Sequence, residues 1–269
     1  MTITAKIIAD SAAHNPAGQR ITTMELRYPR FIHAEFMTHR LFSRNASSSR
    51  AIPVQTLIHD VIDDPVNPSF WGKNEPGMQA SVELDERHKQ SCQREWDALR
   101  DNAIRGARYL SSVGAHKQIA NRILEPFAHI NVVVTATEWD NFFALRRHPD
   151  AQPEIHELAD RMYEALESST PDVLKHGEWH TPYAGRNGDK RVSAARCARV
   201  SYLTHDGKEP TEEADLALFD RLAGSVPIHA SPLEHQAKPV FSLEEQNDTR
   251  NFVGWVQFRA IWERGINNA

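Results

Sequence analysis

The sequence predicts an α+β fold, with mixed helices around a small, mainly antiparallel sheet. Three observations carry this reading. Strand-like segments are few and scattered, and the first two adjoin near the N-terminus. Residues 79–112 form a long charged stretch without Pro or Gly before Gly106, which suits a helix. The helical stretches also do not alternate one for one with strands, as a parallel βαβ array requires.

Taken in order, residues 4–9 are the first expected strand. Residues 21–28 are the second, because Met24, Leu26 and Tyr28 alternate with Glu25 and Arg27. A helix is expected over 29–41, with Pro29 at its first position, where a missing N–H costs nothing. Residues 43–50 (SRNASSSR) are expected as a loop, since Ser and Asn compete for the backbone. A helix at about 54–64 precedes a Pro/Asn/Gly-rich loop at 65–77. In 79–112, Val82, Leu84, Trp96, Leu99, Ile104 and Leu110 suggest one apolar face. A helix over 117–124 ends before Pro126, and the β-branched run 131–137 (NVVVTAT) reads as a buried strand. Helices follow at about 138–147 and 153–168. Residues 170–190 hold several Pro and Gly and are the expected linker between 1–169 and 191–269. Beyond it, helices are expected at about 193–203, 211–223 and 251–262. Residues 236–241 are expected as a short strand, confined to a sheet edge by Pro239.

The chain has 269 residues, 40% hydrophobic and 25% charged, which describes an ordinary globule able to bury a sizeable core. No apolar run nears the roughly 18 residues of a membrane span. The N-terminus lacks a signal-peptide pattern, so a cytoplasmic protein without a membrane partner is expected. Cys92 and Cys197 share no close spacing and predict neither a disulfide framework nor a zinc site. The net charge of −5 argues against a nucleic-acid polymer as partner. It is uneven: residues 19–50 carry six Arg against two Glu, or +4, leaving −9 elsewhere. A cationic patch on an acidic protein suits a small anion.

There is no phosphate-binding glycine loop, zinc-protease helix or nucleophile elbow. His176 and His180 are spaced i, i+4 but lie in a Pro/Gly loop with no third ligand, so no metal site is expected. Residues 38–50, THRLFSRNASSSR, are the exception. They place three arginines, a histidine, an asparagine and four serines together with no acidic side chain, supplying fork and hydroxyl donors for a phosphate. A solvated polar loop is the alternative.

This stretch resembles the signature of the flavin-dependent thymidylate synthase family, R-H-R-x-x-S-x-N-E-x-S-x-R. His39, Arg40, Ser43, Asn45, Ser48 and Arg50 fall in register, six of eight fixed positions; the first Arg is Thr38 and the Glu is Ala46. Residues 120–126 (ANRILEP) are similar to the family's A-R-I-x-L-P segment. Residues 141–146 (NFFALR) and 150–155 (DAQPEI) are similar to N-F-x-x-L-R…H-A-Q-W-E-I, with Asp150 for the histidine and Pro153 for the tryptophan. Residues 198–202 (ARVSY) resemble A-R-V-S-F, and 229–235 (HASPLEH) resemble H-x-T-P-F-E-H. In the family those two runs precede the arginine-rich signature; here they follow it. A circular permutation would produce that order, with the usual N-terminal third moved behind residues 170–190. Ser231 should then lie near a copy of Arg40.

The resemblance implies an FAD-dependent thymidylate synthase, a methyltransferase that converts dUMP to dTMP with methylenetetrahydrofolate and NADPH. It implies a homotetramer with sites between subunits. By the same resemblance, Arg146 is the catalytic residue, stabilising charge on the pyrimidine. His39, Arg40, Asn45, Asn141 and Ser231 would hold FAD, while Ser48, Arg50 and Arg122 would bind the nucleotide phosphate. Plainer roles compete: Arg146 could pair with Asp150, Arg122 could be a surface residue, Asn141 could serve a helix N-terminus and Ser231 a turn. Gln257 and Arg259 could replace the signature's missing amide and guanidinium. The changes at Thr38, Ala46 and Glu35 leave open a C5 hydroxymethylase or methylase acting on dUMP or dCMP. A non-catalytic nucleotide- or flavin-binding protein is the alternative from another class.

Overall fold

The computed structural model describes residues 1–14, 20–200 and 208–267. Five strands, β1 (Thr4–Ala13), β2 (Arg20–Pro29), β3 (Ser43–Ala46), β4 (His129–Ala136) and β5 (Asp172–Leu174), form one sheet in the order β3-β4-β2-β1-β5. The pairs β1·β2, β2·β4 and β3·β4 are antiparallel, and only β5 runs parallel to β1. The expected α+β class with a mainly antiparallel sheet is therefore what the chain adopts. A second sheet pairs β6 (Ala237–Pro239) with β7 (Trp255–Gln257). The helices are α1 (His33–Phe36), α2 (Val54–Asp63), α3 (Glu86–Ser112), α4 (Lys117–Ala120), α5 (Asp140–Arg146), α6 (Pro153–Glu167), α7 (Lys190–Arg199), α8 (Glu212–Ala223) and α9 (Phe258–Asn267).

Alternation along the strands divides the core. Met24, Leu26, Ile130, Val132 and Val134 face one way, against Phe36, Phe42, Phe142, Ile155, Leu158 and Met162. Val133 faces the other way and meets Tyr183, Cys197 and Val200 from the C-terminal third. A satellite cluster joins α2 and α3 through Leu57, Ile58, Val61 and Ile104. The stretch 170–190 carries β5 and the buried His180, Thr181 and Tyr183.

Several local expectations are corrected. The helix over 29–41 does not form: Pro29 ends β2, a 3-10 turn spans Arg30–Ile32, and α1 has four residues. The Arg44 guanidinium takes the carbonyls of Phe36 (3.2 Å) and His39 (3.0 Å), which a continuing helix would have used. The expected loop over 43–50 begins as β3, because the edge of β4 supplies partners that local propensity cannot anticipate. The helix expected from 251 begins only at Phe258, after a turn at 251–254 and β7 at Trp255–Gln257. The helix expected over 117–124 stops at Ala120 and continues as a 3-10 turn, Asn121–Phe127, that contains Pro126. Asp85 caps α3 by accepting from the His88 N–H (3.0 Å), so Val82 and Leu84 precede the helix; Leu99 faces solvent. The helix expected to 203 ends at Arg199, and residues 201–203 lie outside the described residues.

A buried polar chain stitches the sheet to the C-terminal third. His180 Nδ1 meets Ser11 Oγ (2.9 Å) and its Nε2 meets Thr23 Oγ1 (2.8 Å). Thr23 and Thr135 share a hydroxyl contact (2.7 Å), and Thr135 reaches His235 Nδ1 (2.8 Å). Burial pushes both imidazoles down to about 3. Unfolded histidines titrate near 6.5, so between there and about 3 these two groups bind fewer protons in the folded chain than in the unfolded one. Stability is then lost as pH falls, by up to about 1.4 kcal/mol per pH unit for each such group. Thermal unfolding should show a lower Tm at pH 5 than at pH 7; equal values would contradict the neutral buried histidines.

Candidate active site

Arg146, the last residue of α5, projects into the turn between α1 and β3. Its Nε donates to His39 Nε2 (3.0 Å), and its Nη2 donates to Thr38 Oγ1 (3.3 Å) and the Glu35 carbonyl (3.4 Å). The His39 ring lies between Phe42 (5.8 Å) and Phe142 (4.9 Å), measured between ring centroids. Burial, with the Arg146 and Arg44 charges, lowers the His39 pKa to about 4. The imidazole is thus neutral, accepting at Nε2 and carrying its proton on Nδ1. The alternative pairing of Arg146 with Asp150 does not form; Asp150 sits 3.5 Å from His148. No carboxylate among the described residues neutralises Arg146. Thr38, where the signature has arginine, donates to the Glu35 carbonyl (2.7 Å). Glu35 Oε2 is buried beside this group without a hydrogen-bond partner.

A second group forms beyond β3. Ser48 and Arg50 are exposed, and the Arg50 backbone N–H donates to Ser48 Oγ (3.3 Å). The Arg50 guanidinium makes no ion pair with the described residues. Ser49, between them, donates to Glu125 Oε1 (2.5 Å), which also receives Arg122 (3.0 Å) and Arg30 (3.3 Å). Two guanidiniums over one carboxylate leave this corner positive. Sequence reasoning missed Asn121. It is fully buried, and its Nδ2 donates to the carbonyls of Ser49 (2.7 Å) and Ile52 (3.0 Å), fixing the turn that carries Ser48 and Arg50. Its only sequence signal is its place beside Arg122.

The third part is an open cleft of ≈ 270 Å³ where β3 meets the C-terminal third. Arg44, Asn45 and Ala46 line one side, His229, Ser231 and Pro232 the other. Along β3, Ser43 and Asn45 are buried while Ala46 is exposed. Asn45 Nδ2 reaches across to the Cys197 carbonyl (3.3 Å) on α7. Ser231 opens a 3-10 turn, Ser231–Glu234, and is exposed. Asn45 and Ser231 therefore share one cleft. Arg40 and Asn141 are exposed and make no side-chain hydrogen bond or ion pair with the other candidates. Gln257 does reach the signature, donating to Ser43 Oγ (3.3 Å). Arg259 is instead engaged by Glu234 and Glu263 (2.7 Å). His176 packs edge-on against Phe241 (4.5 Å), and the described residues contain no cluster able to hold a metal ion. No described helix is long and apolar enough to cross a membrane. Ser201 and Tyr202 lie outside the described residues.

A family model described as thymidylate synthase complementing protein matches residues 3–172. Among solved structures, the UMP/dUMP methylase PolB from Streptomyces cacaoi bound with 5-Br UMP is similar at 19% identity, covering 61% of this chain and 88% of that one, with a TM-score of 0.49. The same methylase bound with 5-Br dUMP gives 17% identity, 61% and 90% coverage and a TM-score of 0.48. No curated protein matches the chain.

Removing the Asn121 amide takes the donor from the Ser49 and Ile52 carbonyls. Asn121→Ala should lower unfolding stability by about 1–3 kcal/mol in denaturant titration. A change below about 0.5 kcal/mol would show that the turn holds itself.

Proposed function

The chain belongs to the thymidylate synthase complementing protein family, and from that premise we propose that it is an FAD-dependent thymidylate synthase, methylating dUMP at C5 with methylenetetrahydrofolate and NADPH. The observation that carries this reading is Arg146, a cation without a carboxylate partner among the described residues, held by neutral His39 at the start of the arginine-rich turn. Uracil C5 becomes nucleophilic only as negative charge builds along N3 and O4. A preorganised guanidinium favours that charged form, and Arg146 is oriented in advance by His39 and Thr38.

The residues present fit a flavin. The orphaned Glu35 Oε2 is a buried acceptor awaiting a donor, and the cleft offers Asn45 and Ser231 at its walls. His39, Arg40, Asn45, Asn141 and Ser231 would hold FAD. A bound FAD would supply the one-carbon and hydride transfers. Ser48, Arg50 and Arg122 would grip the 5′-phosphate, where the surplus of guanidinium over carboxylate favours a dianion. Phe42 and Phe142 flank the His39 ring, and the Arg146 Nε–H donated to Nε2 keeps the His39 proton on Nδ1.

The cleft shared by Asn45 and Ser231 also supports the circular permutation, since the HASPLEH run meets the signature although it follows it in sequence. Residues 1–169 and 191–269 would then complete one domain. Assembly into a homotetramer, with sites shared between subunits, is part of the same reading, as is a cytoplasmic location. One observation favours a second product: Thr38 and Ala46 remove a charge of each sign from the nucleotide-facing turn. A related C5 hydroxymethylase or methylase using dUMP or dCMP fits that change.

The purified protein should be yellow, with flavin absorption bands that shift on adding dUMP. A colourless protein that gains no such bands with FAD would end the flavin assignment. Mass spectrometry of products from dUMP and dCMP distinguishes methyl from hydroxymethyl transfer and uracil from cytosine. Arg146→Ala should lower kcat by about 10²–10³-fold with little change in nucleotide binding. Arg50→Ala should chiefly raise KM, by about tenfold, for loss of one charge-assisted hydrogen bond. The reverse pattern would exchange the two roles.

A further inference from the structure

The two walls of the cleft are joined by side chains that do not line it. Gln257, at the end of β7, is fully buried. Its Nε2 donates to Ser43 Oγ (3.3 Å), Asn251 Oδ1 (3.0 Å) and the Glu234 carbonyl (3.2 Å). Asn251 Nδ2 in turn donates to Ser43 Oγ (3.1 Å) and the Leu41 carbonyl (2.8 Å). Ser43 opens β3, the strand that carries Asn45, while Glu234 closes the turn that Ser231 opens. A second tether reaches the same rung of the sheet. His235, next to Glu234, bonds Thr135 Oγ1 (2.8 Å), and Thr135 is the register partner of Ser43. Both ties between the Ser231 turn and the sheet thus converge on one pair of residues.

We propose that Gln257 and Asn251 are positioning residues, an amide clamp centred on the buried Gln257 that sets the gap between β3 and the Ser231 turn and so the affinity of the cleft for the flavin. The proposal rests on reading that cleft as the flavin site. The clamp is uncharged, so removing the Gln257 amide leaves the Glu234 carbonyl without that donor and Ser43 Oγ held by Asn251 alone. The walls can then drift, and small losses of registration at a binding constellation weaken it steeply. The phosphate corner is held separately, by Asn121 and Glu125, so it should not feel the loss.

The test uses the full chain, titrating FAD by fluorescence and then dUMP at saturating FAD, for wild type, Gln257→Met, Asn251→Ala, Ser43→Ala and the Ser43→Ala/Gln257→Met pair. Gln257→Met and Asn251→Ala should each weaken FAD binding by about tenfold, while dUMP affinity stays within about twofold. The paired variant should be no weaker than the worse single one, because both changes break the same link. Unchanged FAD affinity in the variants overturns the clamp, as does a parallel loss of FAD and dUMP binding that follows Tm. Should Gln257→Met fail to fold, Asn251→Ala decides alone. A wild-type chain that binds no FAD overturns the cofactor assignment and the clamp with it; wild-type binding with indifferent variants overturns the clamp only.

Discussion

Four residues, Ser43–Ala46, lie along the edge of β4 in register with Thr135–Val132, and the geometry of the candidate site follows from that pairing. Side chains alternate across a strand, so the pairing buries Ser43 and Asn45 toward the C-terminal third. It also fixes the chain on either side. Before β3 the Arg44 guanidinium gathers the carbonyls of Phe36 and His39, and His39 is presented to Arg146. After β3 the Ser47 backbone N–H bonds the Asn131 carbonyl (2.8 Å), which aims the turn with Ser48 and Arg50 at Arg122 and Glu125. A slip of one residue would exchange the buried and exposed sets and dismantle all three groups.

Electrostatics divides the arginines by their partners. Arg20 is paired with Asp10, Arg27 with Asp60 and Asp64, and Arg196 with Asp215; these are structural. Arg40 and Arg50 are unneutralised by the described residues, and Arg30 and Arg122 share one carboxylate. In a chain of net charge −5, that leaves a local positive field where the phosphate of a mononucleotide would be steered. Arg146 differs again. Its partners are a neutral imidazole, a hydroxyl and a carbonyl, so it is oriented without its charge being spent.

The C-terminal third is bound to the sheet by apolar clusters around Val133 and Ile21 and by a run of buried polar contacts. The chain from Ser11 through His180, Thr23 and Thr135 to His235 is unbroken, and the Gln257 amide meets it at the Ser43–Thr135 rung. Buried polar groups stabilise little on balance but exact a large penalty when mismatched, so they select one docking of the two parts over its neighbours.

The sequence by itself determined the α+β class, the strands around residues 21–28 and 131–137, the helices near 54–64, 153–168 and 211–223, and the cationic turn at 38–50. Each rests on local periodicity or composition, and neither depends on what lies opposite. It also located the residues whose order suggests permutation, since a motif is legible wherever it stands in the chain. Tertiary structure alone decided that SRNA is a strand, that Pro29 closes one instead of opening a helix, and that residues 255–257 pair with β6. It decided, too, which carbonyls and hydroxyls the amides of Asn121, Asn251 and Gln257 bond. Their partners lie up to 214 residues away, and a hydrogen bond across that distance leaves no periodic trace in either segment.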